Sequence, residues 1–241
     1  LLMGDLKVAP TQAAWAGGAG TAGLQYLQMG SGARQAGMGE AFTAVGDDVN
    51  TVHWNPAGLA LLRQHEVSLS YNRWVADMSD QGFAYVAPLS PMRVAVHARY
   101  FRYGDLAKTD ASGGSLGSFG SSDLALGMSS AFKVTRAVSA GATVRWLRSA
   151  MDDVTAHTVA ADFGGTVQVT SWLRAGGAVQ HLGPGLAYVK EVTPLPTTLK
   201  AGLAARLLGG SLGLAADASK PVAGQWQYYA GVEYRIREVI L

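Results

Sequence analysis

From Glu66 onward, apolar and polar residues alternate with a period of two, which marks strands whose two faces meet different surroundings. Val67, Leu69 and Tyr71 alternate with Ser68, Ser70 and Asn72, and Phe83, Tyr85 and Ala87 with Gly82, Ala84 and Val86. Val94, Val96, Ala98 and Tyr100 oppose Arg93, His97 and Arg99. Val138, Ala140, Ala142, Val144 and Trp146 oppose Ser139, Thr143 and Arg145. Further runs begin at Leu124, Val159, Leu173, Leu199, Leu212 and Trp226. The pattern predicts about ten strands of roughly the 9–11 residues that a tilted membrane-crossing strand needs.

The connections separate a barrel from a soluble sandwich. Those at 89–93, 133–137, 169–172 and 207–211 are tight, and they alternate with longer ones at 74–80, 104–122, 149–155, 183–196 and 220–225. Sorting by parity suits a transmembrane barrel, with short turns on one side and longer loops on the other; a Greek-key sandwich has no reason for it. Aromatic residues gather near strand ends (Tyr71 and Trp74, Tyr100 to Tyr103, Trp146, Trp172, Trp226 to Tyr229), as an interfacial girdle would. The fold expected is all-β, a transmembrane antiparallel barrel.

Composition agrees. Of 241 residues 31 are Gly, only 15% are charged and 49% are hydrophobic, against a usual Gly share of about 7% and charged share of about 25%. This is too apolar for disorder. The absence of Cys excludes a disulfide scaffold, Cys-ligated metal sites and thiol catalysis. A net charge of +2 leaves no electrostatic footprint for nucleic acid. No run approaches the ~20 apolar residues of a membrane-spanning helix.

The N-terminal part lacks the period of two. Ala14-Trp15-Ala16 has the form of a signal-peptidase site, so residues 1–16 read as a residual signal peptide. Residues 17–64 read as an arm and a segment of small helices that could plug the lumen, and 65–241 as the barrel. Asn55-Pro56-Ala57 reads as a turn ending that plug, since Pro fixes φ and disfavours helix before it. Arg93, Arg99, Arg145, Asp162, Arg174, Lys200, Arg206, Asp217, Glu233 and Arg235 fall on the polar face and are expected to line the lumen, holding the plug more than selecting a ligand.

Other motifs carry little. Gly18 to Gly23 fits G-x-G-x-x-G but lacks the strand and helix of a dinucleotide site. Ser130-Ala131-Phe132-Lys133 falls at a strand end, where serine and lysine would not converge. His53, His65, His97, His157 and His181 are scattered, so neither a metal site nor a cofactor is expected. Asp152-Asp153 with His157 by a rim loop is the one enzyme hypothesis, because some ten-stranded outer-membrane proteases work from Asp and His there; a solvated loop is the stronger reading.

Leu27-Gln28-Met29-Gly30-Ser31-Gly32-Ala33-Arg34-Gln35-Ala36-Gly37-Met38-Gly39, Val45-Gly46-Asp47-Asp48 and Trp54-Asn55-Pro56-Ala57-Gly58-Leu59, with Gly183-Pro184-Gly185-Leu186 and Gly231-Val232-Glu233-Tyr234 later on, resemble the PorV/PorQ family within the FadL-type outer-membrane barrels. The resemblance implies a Gram-negative outer membrane, about fourteen strands and an N-terminal hatch, with Arg34 and Asn55-Pro56-Ala57 as its gating elements. It implies two tasks: binding exported protein cargo or envelope-complex subunits for type IX secretion, with 104–122 and 183–196 as docking loops, or passing hydrophobic molecules past the hatch and through the wall. The polar lumen argues mildly against a wide greasy channel. Ten visible strands fall short of the family's number, so a chain lacking about four strands is expected.

Overall fold

The computed structural model of the protein describes residues 20–188 and 191–236. The Ala14-Trp15-Ala16 motif and most of the residues before the hatch lie outside that range. Ten strands form one antiparallel sheet: β1 (Glu66–Arg73), β2 (Ser79–Ala87), β3 (Met92–Thr109), β4 (Ser115–Lys133), β5 (Val138–Met151), β6 (Val154–Gln168) and β7 (Leu173–Leu182), then, after a small hairpin of β8 (Leu186–Tyr188) and β9 (Glu191–Thr193), β10 (Thr198–Leu207), β11 (Leu212–Pro221) and β12 (Gln227–Tyr234). Each strand of the sheet pairs with its sequence neighbour, β7 pairing with β10.

The alternation read from the sequence is the alternation of the wall. Outward-facing Leu69, Met128, Val144, Phe163, Leu203 and Val232 are exposed, whereas inward-facing Ala84, Ala95, Arg145, Asp162 and Ala215 are buried. Apolar residues outside and polar or small ones inside is the reverse of a soluble domain and fits a barrel in lipid. No helix among the described residues is long and apolar enough to cross a membrane.

Two expectations change. β3 and β4 pair from Met92↔Phe132 out to Thr109↔Ser115, so 104–122 is a protruding strand hairpin, not an irregular loop. β5 and β6 likewise pair out to Met151↔Val154, leaving Asp152 and Asp153 as a tight turn. Much of the length read as loop is therefore strand, because Ser, Thr and Gly in alternation extend a ladder as well as apolar residues do once water covers both faces. All four turns at the opposite end (88–91, 134–137, 169–172, 208–211) are four residues long. These two ends are called the hairpin end and the turn end below.

The sheet curves but does not close: among the described residues β1 pairs only with β2, and β12 only with β11. Ten strands, against the fourteen that the resemblance implies, enclose the N-terminal segment. That segment runs the length of the concave face. It begins at the hairpin end, where Gly23 N–H donates to Pro194 O (2.9 Å), and reaches the turn end, where the Leu62 carbonyl accepts from Arg93 Nε (2.9 Å). Its helices are short: a 3-10 turn at Gln25–Gln28, α1 (Ala33–Gly37), and 3-10 turns at Val49–His53 and Pro56–Leu61. Asp48 and Asn55 cap the last two, accepting from Asn50 N–H and Ala57 N–H, and Pro56 occupies the first position, where its missing N–H costs nothing.

Candidate functional site

A segment with so little regular helix leaves many backbone carbonyls without partners inside the wall, and buried carbonyls need donors. The inner face supplies them. Arg99 Nη1 donates to Met29 O (2.9 Å), Arg174 Nη1 to Val45 O (2.9 Å), Arg145 Nη2 to Val52 O (2.8 Å), Gln180 Nε2 to His53 O (3.0 Å) and Arg93 Nε to Leu62 O (2.9 Å). In the other direction, Asp217 Oδ2 accepts from Phe42 N–H and Thr43 N–H, both at 2.8 Å. Lys200 Nζ stands 4.5 Å from the centre of the Trp54 ring. Of the ten polar-face residues named above, only Asp162 does not touch the segment itself, and it binds Arg145, which does.

Three levels can be distinguished along the lumen. At the hairpin end Leu24, Tyr26 and Leu27 fill an apolar nest with Phe101, Leu147, Leu186 and Leu195. Tyr26 stacks on Phe101 (centroids 5.6 Å, 29°), which meets Tyr103 edge-on (4.8 Å, 64°). The connection containing β8 and β9 folds inward over this nest, so that Leu186 is fully buried. This corrects the expectation that 183–196 is a free docking loop: its Leu186 and Leu195 are hydrophobic enough to be drawn under the rim.

At mid-height two buried ion pairs lie across neighbouring strands. Arg99 grips Asp80 through both Nε (2.9 Å) and Nη2 (2.8 Å). Arg145 Nη2 lies 2.5 Å from Asp162 Oδ2, while Asp162 Oδ1 accepts from His181 N–H (2.8 Å). Asn55 is fully buried here; its Nδ2 donates to Thr43 O (2.9 Å) and to Gly165 O on β6 (3.1 Å). The wall admits this turn because it is glycine there: a Cβ on Gly141 would stand 2.5–2.6 Å from the Pro56 and Ala57 backbone, and one on Gly164 would strike the Asn55 side chain. His53 meets His97 edge-on at 5.2 Å; burial first, then the His97 and Arg145 charges, push His53 well below its ordinary pKa.

At the turn end the segment is held by charge. Arg34 binds Glu233 on β12 through Nε (2.7 Å) and Nη2 (2.8 Å), and Asp47 (2.7 Å) and Asp48 (2.9 Å) through Nη1. Asp47 also pairs with Arg206 and, at 3.3 Å, with Arg235. Burial opposes ionisation of Asp47, but the Arg34 hydrogen bond and the three guanidinium charges outweigh it and hold the carboxyl below its usual range.

The Asp152, Asp153 and His157 hypothesis does not assemble: Asp152 pairs with Lys108, and His157 stacks on Trp146 at 5.8 Å as an exposed residue between buried Ala156 and Thr158. Among the described residues no three His, Asp or Glu side chains are placed to hold a metal ion. Sequence reasoning missed Asp80. Its signal is present, since Asp80, Gly82, Ala84 and Val86 continue one face, although the alternation of apolar residues alone leaves it in the 74–80 connection.

Together these features define a class: an antiparallel barrel-type wall, apolar outside, whose lumen is occupied and hydrogen-bonded by its own N-terminal segment. The chain belongs to the Uncharacterised protein family (UPF0164), whose model matches residues 8–177. No curated protein matches it. Among solved structures it is similar to the toluene transporter TbuX of Ralstonia pickettii, at 16% identity over 87% of this chain and 79% of that one, with a TM-score of 0.56. It is also similar to the toluene transporter TodX of Pseudomonas putida, at 13% identity over 80% and 70%, with a TM-score of 0.55. At such identities the likeness is one of fold. It agrees with the barrel-type wall described above, and none of these comparisons points to PorV/PorQ.

Proposed function

We propose that the protein is a channel in the outer membrane of a Gram-negative bacterium and that it passes small hydrophobic molecules, with the N-terminal segment as its hatch. The observation that carries this reading is the apolar nest at the hairpin end. There the hatch's own Leu24, Tyr26 and Leu27 occupy a site walled by Phe101, Leu147 and Leu186, so a hydrophobic entrant would compete for surface that the protein already keeps out of water. The likeness to toluene transporters supports it. The protein-cargo reading draws no support from the comparisons, and one of its two docking loops is folded under the rim. Arg34 and Asn55-Pro56-Ala57 are proposed as the gating elements, and the polar face as the part of the wall that returns the hatch to its seat.

The test is accumulation of labelled toluene by cells of a host without FadL-type channels, carrying the full chain. Uptake above the empty host, reduced by a cysteine pair that crosslinks hatch to wall, supports the proposal. Uptake no faster than the empty host, from protein shown to be folded in the outer membrane, refutes it.

A further inference from the structure

At the turn end, beside the Arg34 cluster, lies a cavity of about 130 Å³. Its charged lining is Arg174, Arg206, Arg235 and Glu233, three guanidinium groups against one carboxylate, and that carboxylate is already gripped by both arms of Arg34. Arg174 has no carboxylate within 4 Å among the described residues. Its Nε goes to Gln168 Oε1 (3.1 Å) and its Nη1 to Val45 O (2.9 Å), leaving Nη2 free there. Among the described residues the Arg206 guanidinium bonds to Asp47, through Nη2.

The register explains the space. Arg174 on β7 stands opposite Ala204 on β10, and Arg206, two residues further along the same face, stands opposite Gly213 on β11. The two arginines are thus diagonal neighbours, with backbones about 7–8 Å apart, and each faces a residue too small to fill the space between them. Asp47 offsets Arg206 and Arg235 on one side, but no carboxylate pairs with Arg174 among the described residues, and like charges set side by side repel unless something negative lies between them. Gln168 and Ser171 also border the cavity, and its apolar wall comes from Met38, Val45, Trp172, Ala204 and Leu214. The volume suits a single ring, since a dry cavity of about 150 Å³ takes benzene.

We infer that this cavity binds a small organic monoanion, a carboxylate on one ring or on a short branched chain. The carboxylate lies between Arg174 and Arg206, and the apolar body lies against Met38 and Val45. A planar guanidinium fork is matched to that group. The inference is independent of what crosses the lumen.

The experiment titrates benzoate into the full chain in detergent micelles by calorimetry, with toluene as the uncharged probe of the same size and inorganic phosphate as the bare anion. Saturable benzoate binding is expected, weakened about tenfold to a hundredfold in Arg174→Gln, as the loss of hydrogen bonds to a charged group implies, and partly restored in Arg174→Lys. Should Arg174→Gln not fold, Gly213→Leu tests the same point with every charge kept. A Cβ there comes no closer than 3.7 Å to Glu233, so the added side chain fills the cavity without moving the backbone and should abolish binding. The inference is overturned if benzoate does not bind, if Gly213→Leu binds it unchanged, if toluene displaces it as well as another carboxylate does, or if phosphate binds as tightly as benzoate. Toluene uptake unchanged in Gly213→Leu would separate this site from the transport route.

Discussion

The buried pair of Arg145 and Asp162 offers the sharpest test of how the lumen is held together. The Asp162 side chain is 0% exposed and that of Arg145 3%. Asp162 serves two donors, Arg145 Nη2 at 2.5 Å and His181 N–H at 2.8 Å. Asp162→Ala strands a guanidinium in a dry site and orphans an amide. Breaking a buried pair in this way costs about 3–5 kcal/mol. Replacing both members, as Arg145→Met with Asp162→Leu, removes the stranded charge but still leaves the His181 N–H and the Val52 carbonyl unpaired. The two unpaired groups cost about 2–6 kcal/mol between them, but exchanging a buried ion pair for apolar side chains commonly returns about 1–4 kcal/mol, so the expected net loss is smaller, about 1–2 kcal/mol. Denaturant unfolding of the protein in micelles, followed by tryptophan fluorescence and by the mobility of unheated samples on gels, gives both numbers. The double variant should be the more stable of the two. If it is as unstable as Asp162→Ala, packing and not charge governs the site. If Asp162→Ala costs less than about 1 kcal/mol, the lumen is wet enough to screen the pair, and the whole polar face loses its assigned part in seating the hatch.

Other outcomes follow from the same geometry. Gly141→Val places a side chain where the Pro56 and Ala57 backbone runs, so it should unseat the hatch at a cost of about 1–3 kcal/mol and admit bulky antibiotics that the parent excludes, measured as minimal inhibitory concentrations. Asn55→Ala removes the side-chain donor from the Thr43 and Gly165 carbonyls and the acceptor of the Ala57 N–H, and hydrogen exchange in residues 43–57 should quicken, by about tenfold for each 1.4 kcal/mol lost. For pH the sign is set by Asp47. Its pKa is lowered in the fold, so its contribution is present above the ordinary aspartate value of about 3.9 and is lost only as pH falls through the depressed value. Protease access to the hatch should therefore be the same at pH 7 and pH 5 and rise below about pH 4. In Arg34→Ala, protease access should already be high at pH 7.

Much of the wall was legible in the sequence. Period-two alternation needs only local information, and runs such as Val138 to Trp146 name their own faces. The ladder ends were less legible, because Ser118, Gly120 and Ser122 carry no apolar signal with which to distinguish strand from loop. The hatch was readable as a different kind of segment, yet its seat was not. Arg34 and Glu233 are 199 positions apart, and nothing local pairs them. Gly141 and Gly164 look like ordinary strand glycines until the Asn55-Pro56 turn is seen against them. Inward arginines could be placed on a face, but the hatch carbonyls that Arg93, Arg99, Arg145 and Arg174 bind are acceptors that no side-chain pattern reveals.

Bonds from the hatch to both edge strands of the described sheet give it a mechanical role. Glu66 on β1 accepts from Val49 N–H (3.0 Å), and Asp48, one residue earlier, holds Arg34, which holds Glu233 on β12. A short chain of bonds through the hatch thus ties β1 to β12, like a stay rod between two staves. Withdrawing the hatch breaks that tie, so displacement of the hatch and the spacing between β1 and β12 are coupled, and a force applied to either is felt by the other.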